Sequence, residues 1–241
     1  MKKTYQDNAE ICARFYDLSL DSVAVASFVR DKANYGEQGG ATLFVGGMFG
    51  VAERLRNSND PFVVVDYSEE MVTLGRRRLP GVRVECADLR NLPFKNEFST
   101  IFVIGRVFTH MLRDEDVEQA LRSCYRALVP GGTLFFDNYE DSRIQATSYF
   151  NGEISVSDQY GAILRRSTTQ KVSDAPFVVK WNAEYSGDFR GERFHFCDEI
   201  AHRAFSRVDI AANLFRSGFT VIEQGDNFDE TSFFTRAERN R

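Results

Sequence analysis

Five short apolar runs, with helix-length stretches between most of them, constrain the fold of this chain more than any other feature. Ala41-Thr42-Leu43-Phe44-Val45, Pro61-Phe62-Val63-Val64-Val65, residues 82–86, residues 100–104 and Thr133-Leu134-Phe135-Phe136 are the runs. The first, second and last are continuously apolar, as strands buried on both faces must be. A helix over 49–57 follows the first. Ser68 opens another whose last turn carries Arg76, Arg77 and Arg78, where positive charge complements the helix dipole. A third spans 114–128, with acids in its first turn and Arg126 in its last, and Pro130-Gly131-Gly132 stops it. Strands alternating with helices of this length predict an α/β fold with a mostly parallel sheet and helices on both faces.

The flanks differ. The first forty residues predict helices over 7–15 and 20–32, then a loop over 34–40 rich in Gly and polar residues. Between 142 and 203 the pattern changes, and segments 162–166, 177–185 and 193–199 alternate like antiparallel strands. Ser206, with Asp209 three residues on, starts a further helix in the manner of a capping box, and Gly218 ends it. Residues 219–222 and 232–235 close the pattern as two strands. A length of 241 residues suits one domain. The expectation is a single unit over 1–241, with a helical lid (1–40), a binding core (41–141), an antiparallel insertion covering the active site (142–203) and a C-terminal helix and strands (204–241).

Composition excludes some classes. Thirty basic against 35 acidic side chains give a net charge of -5, which argues against a partner held by a basic surface, nucleic acid above all. No apolar run approaches the roughly 20 residues of a membrane helix, and the two lysines near the start are followed by no apolar stretch, so neither a membrane span nor a signal peptide is expected. Cys12, Cys86, Cys124 and Cys197 form no close pair, which points to thiols in a reducing cytoplasm and to no metal site. The 22 phenylalanines suit an aromatic core and pocket lining. A cytoplasmic protein with a small-molecule partner, monomeric or homodimeric, is the expectation.

Ligands of open parallel sheets bind beyond the carboxyl ends of the strands, where strand order reverses. Three features fall at such ends. Gly46-Gly47-Met48-Phe49-Gly50 follows the first strand, where glycine lets the chain turn sharply and approach a ligand. Asp66 ends the second, about twenty residues after Gly46, placed to accept hydrogen bonds from a ribose diol. Asp88 follows the third, in Ala87-Asp88-Leu89-Arg90-Asn91-Leu92-Pro93-Phe94. Taken singly, the glycines serve many strand-to-helix turns, Asp66 is equally a helix N-cap, and Asp88 is a turn residue. Their appearance in order, each after its own strand, is far more specific.

With those residues in view, the stretch from Ala41 to Asn138 resembles the core of the class I S-adenosylmethionine-dependent methyltransferases, whose fold is a Rossmann-like, seven-stranded, mostly parallel sheet. Val64-Val65-Asp66-Tyr67-Ser68-Glu69-Glu70-Met71 is similar to that family's second motif, and Arg126-Ala127-Leu128-Val129-Pro130-Gly131-Gly132-Thr133-Leu134 to the segment before its fifth strand. Ala13-Arg14-Phe15-Tyr16-Asp17 and Ser217-Gly218-Phe219-Thr220-Val221 resemble the lid element and sixth strand of its small-molecule members, including those of aminosugar and natural-product pathways. The resemblance implies S-adenosylmethionine as cofactor, with Asp66 on the ribose hydroxyls, Asp88 on the adenine amino group, Leu89 against the adenine ring and Gly46, Gly47 and Gly50 near the methionine part. Tyr67, Met71 and Arg106 complete the implied cofactor wall. Tyr16, Phe49 and Phe108 are candidates for an aromatic face near the sulfonium.

The glycine loop departs from the family pattern of acid-x-glycine-x-glycine-x-glycine. Phe44 stands at the acidic position and Met48 at the middle glycine. Loss of that acid removes a charge-assisted contact worth about 1.5–3 kcal/mol, so Arg14, Tyr16 or Asn138 becomes a candidate to hold the cofactor's tail. Three functions follow: N- or O-methylation of a small molecule; attack on the cofactor's aminocarboxypropyl chain, releasing methylthioadenosine; or a non-catalytic ligand-binding protein of the same fold. GxGxxG is absent, which disfavours a nicotinamide dehydrogenase. Where the nucleophile carries a proton, the candidate groups are His110, Asn138 and Tyr139, with His202 and His195 as further bases. The aromatics Tyr149, Phe150, Tyr160, Phe177, Trp181, Tyr185, Phe194 and Phe196, about half of them facing inward, would wall a small water-excluding cavity.

Overall fold

The five apolar runs become five parallel strands of one sheet in the computed structural model, which describes residues 8–36, 39–57, 59–146 and 151–241. β1 (Thr42–Val45) lies between β2 (Phe62–Asp66) and β4 (Phe98–Val103), with β3 (Arg83–Cys86) outside β2 and β5 (Leu128–Tyr139) outside β4. All four residues of β1 are buried, as a central parallel strand requires. Two C-terminal strands, β10 (Phe219–Asp226) and β11 (Ser232–Arg239), complete the sheet in the order β10-β11-β5-β4-β1-β2-β3, with β11 antiparallel to both neighbours. β5 begins earlier than expected: Pro130-Gly131-Gly132 forms its irregular entry, marked by a register shift between Phe98 and Thr100 of β4.

Helices cover both faces. Among the described residues these are α1 (Ala9–Ser19), α2 (Ser22–Lys32), α3 (Phe49–Leu55), α4 (Glu69–Arg78), α5 (Asp114–Ala127), a short α6 (Asp141–Ala146) and α7 (Arg207–Arg216). Caps set several starts. Asp21 accepts the amides of Val23 and Ala24 at 3.0 Å, which moves the start of α2 past the expected position 20. Ser68 accepts the Met71 amide at 3.2 Å, and Ser206 the Asp209 amide at 3.0 Å, as expected. One face packs Leu43, Val45, Ile101, Val103, Leu121 and Phe136; the other packs Phe44, Val64, Phe102, Phe135 and the helices α2, α3 and α4.

Residues 152–203 form a separate four-stranded antiparallel sheet: β6 (Gly152–Asp158), β7 (Gly161–Asp174), β8 (Phe177–Phe189) and β9 (Glu192–Arg203). Three of these strands match expectation. β6 does not: Ile154 and Val156 alternate over too short a stretch to stand out, and most of its residues are exposed. The inner face of this sheet packs Ile163, Trp181, Ala183, Tyr185 and Ile200 around Phe15 of α1, and Arg14 ties α1 to Asp158 and to the Gly161 carbonyl. Asp7, Tyr149 and Phe150 lie outside the described residues. No helix among the described residues is long and apolar enough to cross a membrane. No cluster of three or more possible metal ligands occurs among them. Cys12 and Cys124 are buried, Cys86 and Cys197 exposed, and none of the four forms a disulfide.

The 3-10 turn Leu89–Asn91 is anchored to α5 by one buried bond, from the Leu92 amide to Ser123 Oγ at 2.7 Å. Ser123→Ala leaves that amide without an acceptor, a cost of about 1–3 kcal/mol. The expected result is a lower midpoint in urea unfolding at unchanged slope.

Candidate active site

Strand order reverses between β1 and β4, and the carboxyl ends of β1, β2, β3, β4 and β5 open onto one cavity of about 470 Å³. α1 closes one side with Tyr16, and the four-stranded sheet closes the top with Ile154, Arg165, Trp181, Ile200 and His202. The antiparallel insertion therefore covers the site, as expected.

The glycine loop is its floor. Gly46 has φ +111°, a conformation that side chains disfavour. A Cβ on Gly47 would collide with Met71 Cε and would sit 3.4 Å from Asp66 Oδ2, so the Asp66 carboxylate leans over this loop. Met48 has φ -79°, which any residue adopts, and its Sδ lies where a Cβ on Gly105 would be, at 2.8 Å. The absent side chain at Gly105 thus makes the room that Met48 occupies. Phe44 points away from the cavity into the core, where its ring stacks on Phe62 at 6.4 Å and 28°.

Asp66 accepts the Ser68 amide at 2.8 Å. Burial outweighs its amide bonds and pushes its pKa up to about 6. Asp88 lines the next section of wall with Leu89. Its carboxylate is gripped by Arg90, from Nε at 3.0 Å and Nη2 at 2.6 Å, and this pairing holds it below the usual carboxylate range. Arg90 also reaches Asp116 at 3.0 Å. Three donors of Arg90, its amide, Nε and Nη2, meet the two oxygens, with Nε shared between them, which leaves room for about one further donor.

The wall beyond β4 and β5 is organised by Asp137, which is fully buried. Its Oδ1 accepts the amides of Gly105 (3.0 Å) and Arg106 (2.9 Å), and its Oδ2 accepts Asn227 Nδ2 at 3.2 Å. Arg106 is left-handed (φ 61°) and pairs with Asp229, its guanidinium over Tyr139 (5.0 Å) and Phe228 (5.5 Å). Thr231 and Ser232 hold Asp229 from behind. Burial raises the Asp137 pKa against the opposing pull of Arg106.

His110 and His202 meet edge to face at 5.3 Å and 88°. His202 also lies between Tyr139 and Trp181, 5.9 Å from each ring and nearly parallel to both. Burial lowers the pKa of His110 to about 4 and that of His202 well below its ordinary value, with His110 and Arg106 adding to the latter. Both are neutral imidazoles at pH 7.

The structure brings twelve of the expected site residues to this cavity: Tyr16, Gly46, Gly47, Gly50, Asp66, Tyr67, Met71, Asp88, Leu89, Arg106, His110 and Tyr139. Asn138 is a correction. Side chains alternate along a strand, so Asp137 and Tyr139 share one face and Asn138 takes the other, where it is fully buried away from the cavity. Phe49 and Phe108 are likewise core residues, the former beneath Gly75 and the latter against Phe136 at 4.9 Å. Arg14 is committed to Asp158 and Gly161. His195 faces outward to Glu184 at 2.8 Å. Of the expected insertion aromatics, Trp181 lines the cavity, whereas Tyr160, Phe177, Tyr185, Phe194 and Phe196 do not. Asp137, Arg165, Phe228 and Asp229 were not anticipated; an acid closing an apolar strand was the signal available for Asp137.

Residues 46–132 match a family model described as a methyltransferase domain. No curated protein sequence matches the chain at a significant level. Several solved structures share its fold. An S-adenosylmethionine-dependent methyltransferase from Clostridium acetobutylicum superposes with a TM-score of 0.81 at 16% identity, covering 98% of this chain and 100% of the other. A sugar N-methyltransferase from Streptoalloteichus gives 0.75 at 20% identity over 96% and 94%. An amino pentose methyltransferase from Micromonospora echinaspora, solved with S-adenosylmethionine bound, gives 0.73 at 19% identity over 96% and 97%.

Asp137→Ala strips the acceptor from two amides in a dry setting and is expected to cost about 3–5 kcal/mol. Asp137→Asn keeps one oxygen for both amides, and Asn227 can turn its own amide to match, so its cost stays near 1 kcal/mol. Denaturant midpoints for the two variants check the ordering.

Proposed function

We propose that the chain is a class I S-adenosylmethionine-dependent methyltransferase that methylates a small molecule at nitrogen or oxygen, a reading supported by the methyltransferase-domain match over residues 46–132 and by the shared fold. Asp66 carries the proposal: a carboxylate at the end of β2, leaning over a glycine floor, with acceptor capacity to spare. Asp66 would accept the two vicinal ribose hydroxyls of the cofactor. Leu89 and Tyr67 would flank its adenine, and Asp88 would accept from the adenine amino group. The residues present thus fit the nucleoside half of the cofactor well. When bound, the cofactor supplies an electrophilic methyl group.

The chain's own residues do the rest by placement and by exclusion of water. Methyl acceptance by an amine requires its free lone pair. The burial that keeps His110 and His202 neutral also disfavours an ammonium ion beside them, so an amine acceptor there binds more readily in its neutral form, having left its proton in solvent. The two imidazoles then accept a hydrogen bond from the N–H or O–H of the acceptor and aim its lone pair. Tyr139 and Trp181 hold His202 in plane for that purpose. Aminosugar-like and natural-product acceptors fit a covered, partly aromatic cavity of this size. That a sugar N-methyltransferase and an amino pentose methyltransferase of calicheamicin biosynthesis share this fold supports the same class.

Two measurements test this. Incubation with S-adenosylmethionine and candidate amines or alcohols is expected to yield S-adenosylhomocysteine with a methylated acceptor. Methylthioadenosine appearing without an acceptor would instead establish attack on the aminocarboxypropyl chain, the alternative that Phe44 and Met48 favour.

Affinity for S-adenosylhomocysteine is expected to be flat above pH 7 and to fall as the pH drops through about 6. The sign follows from the raised pKa: protonation replaces an acceptor for two hydroxyls by a donor. Asp66→Asn is expected to weaken binding by about ten- to a hundredfold and to remove that pH dependence, as read by calorimetry.

A further inference from the structure

Charged groups in the cavity wall are matched with one another, with two exceptions. Arg90 pairs with Asp88 and Asp116, Asp17 with Arg78, and Arg106 with Asp229. Asp66 is the first exception and is taken up by the ribose in the function proposed above. Arg165 is the second. It enters the cavity from β7 of the covering sheet, and no ion pair or hydrogen bond joins it to any described residue; its Nε is buried without a partner. The guanidinium rests over Phe15 at 4.7 Å and over Trp181 at 5.5 Å. Aromatic faces support a cation but accept none of its directed N–H bonds. The buried Nε is therefore left without a bond, while the Nη groups remain open to the cavity, where an anion can take the place of water.

We propose that Arg165 recognises an anionic group, carboxylate or phosphate, on the molecule that is methylated. The assignment rests on the methyltransferase reading. Its geometry is specific: Trp181 is shared by the Arg165 guanidinium, 5.5 Å from its ring, and by the His202 ring, 5.9 Å away. An acceptor lying along the indole places its anion on the guanidinium and its nucleophile at the His110–His202 end. The planar fork of arginine matches a carboxylate or phosphate with two parallel bonds, which neither the histidines nor the tyrosine offers. The acceptor's anion and the cofactor's own carboxylate are the two sources this guanidinium could meet, and the experiment separates them.

Protein saturated with S-adenosylhomocysteine is titrated by calorimetry with benzoate, phenyl phosphate and benzamide, which share a ring and differ in charge. At least one anion is expected to bind about tenfold or more tightly than the neutral amide. In Arg165→Gln the three probes are expected to converge to within about twofold, with Arg165→Lys retaining part of the preference as a folded control. Affinity for S-adenosylhomocysteine stays unchanged in both variants. Equal binding of benzamide and the anions, or no binding of any probe at millimolar concentration, overturns the assignment. A loss of S-adenosylhomocysteine affinity in Arg165→Gln also overturns it, since the residue then holds the cofactor's carboxylate. If S-adenosylhomocysteine does not bind the unaltered protein, the methyltransferase reading fails instead, and the same three titrations on the unloaded protein still decide whether Arg165 selects an anion.

Discussion

The carboxylate of Asp137, buried at the end of β5, fixes the turn that follows β4, and much of the cavity hangs from that turn. A charge without solvent is costly unless its lone pairs are filled, and here two backbone amides and Asn227 fill them. The amides belong to Gly105 and Arg106, so the same bonds hold Arg106 in its left-handed conformation and aim its side chain across Tyr139 and Phe228 to Asp229. They also hold Gly105 against Met48. One buried acid thereby joins β4, β5 and the β10–β11 connection around a single rim.

That rim explains how the chain tolerates the two departures in its glycine loop. Met48 costs little backbone strain, because its dihedrals are ordinary and the space it takes is space that Gly105 leaves open. Phe44 is absorbed differently: its ring turns into the core and adds apolar packing against Phe62, worth about 2 kcal/mol on full burial. Asp66 and Asp88, on which the proposed nucleoside site rests, keep their places in the cavity wall despite both changes. The carboxylates beside the loop are Asp66 and Asp17, 3.4 Å and 3.3 Å from where a Cβ on Gly47 and on Gly50 would stand.

The parallel core was legible in the sequence because burial on both faces makes each strand a continuous apolar run, and because Asp66 and Asp88 close their strands where ligands bind. The same short-range logic placed the caps at Ser68 and Ser206. It failed where the burial signal is short, as in β6 with only Ile154 and Val156, and where period two was not applied along β5, which put Asn138 on the wrong face. Phe49 and Phe108 were misplaced for a related reason: an aromatic beside a loop motif packs inward or toward ligand according to neighbours such as Gly75 that lie far along the chain. The Arg106–Asp229 pair joins residues with no sequence periodicity between them, so only the fold assembles it.

The covering sheet and the core divide the chemistry of the cavity between them. Carboxyl ends of parallel strands present acids and glycines, suited to a ribose and to close backbone approach. The antiparallel sheet presents one face of alternating side chains, and on that face Arg165, Trp181 and His202 occupy three different strands in mutual contact through the indole. Replacing residues on this face alters what is bound beneath it without touching the glycine loop or Asp66. In the proposed function, a fold built this way would separate cofactor binding from acceptor choice: the first set by strand ends, whose positions the parallel sheet dictates, and the second by side chains on a covering sheet that packs on the core at Phe15 and at Tyr139 and Ile144.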